Sequence, residues 1–179
     1  EKIETILINT NILDSEETTI QAAKEMEANK VGCIIVFGGD GTCRLVSKHI
    51  KETPILPVST GTNNLFPLNL EGTVVGIAAA KFCLLKNIEK YSKREKKLEI
   101  YENNKLTDSS LVDVVISRTP YIESRAIWDI KNVDEIFISK VSYEGIGFSS
   151  IGYSLIKKDL SFNKGIHISL GQNDYINPQ

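Results

Sequence analysis

Five apolar residues, Cys33-Ile34-Ile35-Val36-Phe37, run without interruption into Gly38-Gly39-Asp40-Gly41-Thr42. This junction restricts the fold more than any other part of the chain. A short apolar run bounded by glycines is the pattern of a strand buried on both faces of a parallel sheet. Three glycines around one carboxylate let the backbone turn sharply and let a ligand come close to the main chain. A helix expected from Thr42 to Glu52, stopped by Pro54, aims its free N–H groups at that turn, where they favour an anion such as phosphate. An Asp held there can accept a proton from an attacking hydroxyl, or hold Mg²⁺ bound to phosphates. The plainer alternative is a strand-to-helix turn that uses Gly and Asp for their turn chemistry alone.

The flanking sequence repeats the alternation of strand and helix. Residues 3 to 8, Ile-Glu-Thr-Ile-Leu-Ile, are short and β-branched and read as a strand. Asp14 to Lys30 reads as a helix, with Asp14 and Glu17 as a capping box and Ile20, Ala23 and Met26 at helical spacing. Ile55-Leu56-Pro57-Val58 is a third strand, with Pro57 an awkward member of a ladder. Thr73 to Leu85 is apolar nearly all round and reads as a buried helix. Strands alternating with helices imply a three-layer α/β domain around a parallel sheet.

The charged stretch Tyr91 to Lys97 marks a boundary, giving an α/β domain over 1–89 and a β-rich domain over 90–179. In the second, Leu98 to Tyr101, a turn at Glu102 to Lys105, and Leu111 to Ile116 suggest a hairpin. Glu135 to Ile138 and Ile166 to Leu170 suggest further strands. The chain opens without an initiator methionine and enters strand-like sequence almost at once, so both domains are expected to be pieces of a longer protein.

A second polar loop, Ser59-Thr60-Gly61-Thr62-Asn63-Asn64, follows the third strand. Parallel strands put both loops at the same sheet edge, where ligands of open α/β folds bind. Hydroxyls and amides there can bond phosphate and ribose without adding charge. Other motifs fail: Arg44 stands where a dinucleotide fingerprint needs its last glycine, and neither loop ends in the Gly-Lys-Ser/Thr of a P-loop. Gly147-Phe148-Ser149-Ser150-Ile151 misses the nucleophile elbow, and His49 and His167 have no triad context.

With 179 residues, 41% hydrophobic and 25% charged, and a net charge of −2, the chain falls in the globular class and lacks the positive field that attracts nucleic acid. Cys33, Cys43 and Cys83 show no metal-ligand spacing and read as reduced thiols of a cytoplasmic protein. No apolar stretch is long enough for a membrane span, and no basic amphipathic helix suggests a membrane surface. An exposed β domain leaves a homo-oligomer open.

Gly38 to Thr42, followed about twenty residues on by Pro57-Val58-Ser59-Thr60-Gly61-Thr62-Asn63-Asn64, resembles the NAD kinase and diacylglycerol kinase superfamily. Ser59 to Pro67 is more narrowly similar to the ATP-NAD kinase-like proteins related to acetoin-catabolism protein X. Weaker likeness extends over Asp113 to Asp129, including Glu123 to Asp129, and over Gly145 to Gly152. The resemblance implies a two-domain, ATP- and Mg²⁺-dependent kinase that phosphorylates a hydroxyl of a small molecule, with NAD the leading candidate acceptor. It implies Asp40 as base or metal-linked carboxylate, Gly38, Gly39, Gly41 and Thr42 as phosphate cradle, and Ser59, Thr60, Gly61, Thr62, Asn63 and Asn64 as cleft lining. Gly147, Ser149 and Ser150, echoing the Gly-Ser-Thr-Ala-Tyr segment of NAD kinases, would lie on the acceptor side. The Asn-Glu or Asn-Asp pair with which NAD kinases grip the dinucleotide has no clear counterpart. Two alternatives accompany this reading: a nucleotide-binding regulatory protein without catalysis, and a lipid kinase of the diacylglycerol kinase type.

Overall fold

The apolar run becomes strand β1 (Ile34–Gly38), which pairs in parallel with β2 (Ile55–Ser59), Ile34 opposite Ile55 and Gly38 opposite Ser59. The structure is a computed structural model that describes residues 5–8, 15–61, 64–120, 130–170 and 176–178. The chain divides into two compact units, Glu1–Lys93 and Arg94–Gln179.

In the first unit, helix α1 (Ser15–Ala28) precedes β1, α2 (Asp40–Ser47) joins β1 to β2, and α3 (Gly72–Cys83) follows. α2 packs on α1 and β1, and α3 on β2. Asp14, half of the expected capping box, lies outside the described residues. The end of α1 is closed by two bonds, from Lys30 N to Glu27 O and from Val31 N to Met26 O, around Lys30 at φ 52°. That is the Schellman arrangement with lysine in the left-handed position usually given to glycine.

Pro57 fits because of where its missing N–H points. A strand residue's N–H and C=O face the same side; Pro57 O accepts from Leu68 N, on the edge away from β1, and Ser59 N donates to Leu68 O. The ladder to β1 therefore loses nothing. α2 ends at Ser47, short of Glu52. Glu27 of α1 takes the Lys51 and Glu52 N–H groups and the Thr53 hydroxyl instead, and Thr53 precedes a proline, which disfavours helical backbone.

Three expectations are corrected here. Residues 5–8 form no ladder among the described residues, and Ile6 and Leu7 are exposed; without a partner strand, β-branched residues alone do not make a strand. β1 is buried on one face only: Ile34 and Val36 are core residues, whereas Phe37 is 61% exposed. α3 is not buried all round, since only Val75 and Ala79 face inward while Val74 and Ile77 are 56% and 53% exposed. A helix against a single strand layer covers one stripe, whatever its other faces carry.

The second unit is mostly β. Its hairpin pairs β3 (Leu98–Glu102) with β4 (Lys105–Ser110), not with Leu111 to Ile116. Asn103 and Asn104, at φ 50° and 62°, form a two-residue turn with both centres left-handed, which asparagine tolerates and which matches strand twist. The apolar Leu111 to Ile116 segment instead supplies β5 (Asp113–Ser117), first in an antiparallel sheet of order β5-β6-β7-β8, with β6 (Val133–Ile138), β7 (Ile166–Leu170) and β8 (Ile176–Pro178). A 3-10 turn, Ile130–Asn132, leads into β6.

An unexpected helix, α4 (Phe148–Ile156), packs on β6. The core between them gathers Val133, Ile136, Ile138, Val141, Ile166 and Ile168. Gly152 permits the close approach, since a Cβ there would sit 3.0 Å from Ile138 Cδ1 and from Val141 Cγ1. Buried Ser139 bonds the carbonyls of Leu111 and Val112 at 2.7 and 2.9 Å, so its hydroxyl carries no desolvation penalty. On β6 and β7, Phe137 and His167 stack with ring centroids 4.4 Å apart. His167 Nε2 lies 3.2 Å from Glu135 Oε2.

Candidate functional site

The register that sets Gly38 opposite Ser59 makes both polar loops leave the parallel pair at one edge. Gly38 ends β1 and is buried, Gly39 is the N-cap of α2, and Asp40, Gly41 and Thr42 form its first turn. The helix thus starts two residues before Thr42, which puts the carboxylate of Asp40 at the positive end of the helix rather than in the turn ahead of it.

The two loops are sewn together through Asp40. Its Oδ2 accepts from Leu65 N and its Oδ1 from Phe66 N, each at 2.9 Å. Its own N–H donates to Asn64 Oδ1 at 3.2 Å, and Asn64 Nδ2 donates to Ser59 Oγ at 2.8 Å. Ser59 Oγ in turn donates to Gly61 O at 2.8 Å. One carboxylate and one amide side chain therefore hold the second loop against the first.

The glycines divide by what surrounds them. A side chain at Gly38 would collide with Thr42, and a Cβ at Gly39 would stand 2.7 Å from Asn64 Oδ1. Gly38 makes room for the first turn of α2, and Gly39 for the inter-loop contact of Asn64. Gly41 has nothing within 4 Å of where its Cβ would be, and it is exposed. Open space over the first turn of a helix is what an incoming phosphate needs. Behind the turn, Cys43 is 0% exposed, and burial, followed by the Asp40 charge, pushes its thiol up to about 11. It is a neutral packing residue.

Thr60 and Gly61 are exposed in the second loop; Thr62 and Asn63 lie outside the described residues. Gly147, Ser149 and Ser150 fall in the second unit at the start of α4, with Gly147 its N-cap at φ 93°. Ser150 Oγ bonds Gly147 O at 2.8 Å. Ser149 Oγ is buried without a hydrogen-bond partner among the described residues. Glu123 to Asp129 lie outside the described residues.

Sequence reading overlooked Leu65 and Phe66, because they act through backbone N–H groups that any residue type supplies. Glu27, which ties α1 to the turn before β2, was overlooked as one more charge on a helix face. Among the described residues no three His, Cys, Asp or Glu gather as a metal site, and no helix is long and apolar enough to cross a membrane.

Comparison with known proteins divides along the same line as the fold. The model of the ATP-NAD kinase N-terminal domain matches residues 2–69, and that of the acetoin catabolism protein X C-terminal domain matches residues 96–177. Acetoin catabolism protein X of Cupriavidus necator is 35% identical over 140 residues, which cover 75% of this chain and 39% of that protein. The chain therefore spans about two fifths of the length of that curated relative. No solved structure matches the chain.

Proposed function

The chain belongs to the NAD kinase-like family related to acetoin catabolism protein X, and from that membership we propose that it carries the ATP-binding half of a kinase that transfers a phosphoryl group to a hydroxyl of a small molecule, with NAD the leading acceptor. The observation that carries the reading is Asp40 at the N-terminus of α2, its carboxylate bridging to the Leu65 and Phe66 N–H groups. Each carboxylate oxygen has a second lone-pair direction. Asp40 can hold the cleft together and still accept the proton of an attacking hydroxyl.

In this reading the turn at exposed Gly41 and half-buried Thr42 receives the phosphates of ATP, and Ser59, Thr60, Gly61, Thr62, Asn63 and Asn64 line the nucleotide side. The donor set fits Mg²⁺ that arrives bound to those phosphates, because Asp40 is a single carboxylate and no cluster of metal-ligating side chains surrounds it among the described residues. Such an ion would neutralise charge on the transferred group. Gly147, Ser149 and Ser150 stand as the acceptor-side proposal. Phosphoryl transfer from ATP to NAD by the full-length protein, and its loss in Asp40→Asn by roughly 10² to 10⁴ fold, tests the reading.

One observation favours a second reading. Both oxygens of Asp40 already hold backbone N–H groups, so a chain could retain Asp40 for loop assembly alone and act as a nucleotide-binding regulator. ATP binding without transfer to any hydroxyl acceptor would support that reading over the kinase.

A further inference from the structure

At the edge of the parallel pair opposite the two loops, Cys33 stands one residue before β1 and Cys83 is the last residue of α3, with their sulfurs 3.7 Å apart. All three cysteines are free thiols. Fifty positions of sequence separate this pair, so the approach is a product of folding. Gly32 makes it possible: a Cβ there would lie 2.6 Å from Cys83 Sγ. Cys83 is exposed, whereas Cys33 is half-buried and lines an apolar cavity of about 580 Å³ with Ile55, Leu56, Ala79 and Phe82.

We propose that Cys33 and Cys83 form a reversible dithiol–disulfide site, oxidised through exchange with a low-molecular-weight disulfide. Bonded sulfurs lie about 2.05 Å apart, so the bond needs a further approach of the two sulfurs, with exposed Cys83 the freer of the two to turn. The accessible Cys83 thiolate attacks one sulfur of the small disulfide, forming a mixed disulfide and releasing the first small thiolate. The Cys33 thiol then gives up its proton, attacks the Cys83 sulfur and expels the second small thiolate. The protein loses two electrons and two protons, and the oxidant gains both as two thiols.

Burial, and then the neighbouring Cys83, pushes Cys33 up to about 11. Little Cys33 thiolate is present at neutral pH, so the second step is the slow one. The same shift leaves the reduced Cys33 without thiolate stabilisation, which favours the bond once made. The crosslink closes the segment that contains both Gly38–Thr42 and Ser59–Phe66, tying its two ends without entering the cleft. The site stands independently of any phosphoryl transfer.

The test uses the full chain, reduced and then held folded with oxidised glutathione, followed by thiol titration, intact mass and peptide mapping. Expected are the loss of two of the three thiols, a Cys33–Cys83 crosslink within one chain that dithiothreitol reverses, and a higher melting temperature of the oxidised form. In Cys33→Ser the glutathione adduct on Cys83 should persist. In Gly32→Ala, where the added methyl displaces the Cys83 sulfur, crosslinking should slow while adduct formation does not. A stable glutathione adduct on Cys83 in the unmutated chain, or a Cys83 bond between two chains, would overturn the proposal.

Discussion

Replacing Asp40 by Asn separates what the carboxylate does for the cleft from what it does for a reaction. The side chain keeps its shape but loses its charge and half its acceptor capacity. Two charge-assisted bonds at 2.9 Å, from Leu65 N and Phe66 N, are each worth about 1.5–3 kcal/mol. Asn can restore one neutral bond, worth about 0.5–1.5 kcal/mol, and turns its own NH₂ toward the other N–H. The gross loss is about 1.5–5.5 kcal/mol, and because the site is only half-buried, water recovers part of it, leaving about 1–3 kcal/mol. For a unit of this size that is a drop of roughly 5 to 20 °C in melting temperature.

The assay is thermal and urea unfolding of the wild type, Asp40→Asn, Asn64→Ala and the double variant. Because Asn64 Oδ1 accepts from Asp40 N and Asn64 Nδ2 reaches Ser59 Oγ, the two substitutions act on one network. Their effects should fall short of additive, with a coupling of about 0.5–3 kcal/mol. An Asp40→Asn chain that melts with the wild type, or strictly additive effects, would refute the claim that Asp40 sews the loops together.

Three further perturbations test other parts of the structure. Lys30→Gly relieves the left-handed strain at the end of α1 and should raise stability by about 0.5–1 kcal/mol in urea unfolding. Gly152→Ala presses a methyl to 3.0 Å of Ile138 and Val141 and 3.2 Å of Ile166; it should cost about 1–3 kcal/mol in the same assay. Glu27 is held below its usual 4.5 first by the Thr53 hydroxyl and then by Lys51 N–H, and Glu71, the α3 N-cap, first by the Thr73 and Val74 N–H groups. Their folded-state values are depressed, so the stability they add is present above pH 4.5 and is lost as pH falls through the lower folded-state values. Glu27→Gln and Glu71→Gln should flatten acid unfolding in that window and leave its alkaline side unchanged.

The junction at Gly38 was legible in sequence because each of its signals is local: an apolar run, glycines, then a helical pattern. The parallel pairing of β1 with β2 followed from those signals and from the alternation around them. The hairpin partner was not legible, since Lys105-Leu-Thr-Asp-Ser-Ser110 is mostly polar and buries only Ser109, whereas the apolar Leu111 to Ile116 has the stronger strand pattern. What selected Lys105 to Ser110 was the Asn103-Asn104 turn, which sets register by backbone conformation. α4 was hidden because Gly, Ser and β-branched Ile are poor helix formers, and packing on β6 outweighs their propensity. The bonds of Asp40 left no trace in residue types, because its partners are main-chain N–H groups.

The central claim is that the loops joined by Asp40 carry phosphoryl transfer. The most direct measurement incubates the full-length protein with ATP, Mg²⁺ and NAD, and follows phosphorylated product alongside ATP binding. Phosphorylated dinucleotide that forms with the wild type and falls by roughly 10² to 10⁴ fold in Asp40→Asn, under conditions where unfolding shows the variant still folded, is the result expected. ATP bound with no phosphoryl transfer to NAD or to any other hydroxyl acceptor would contradict it.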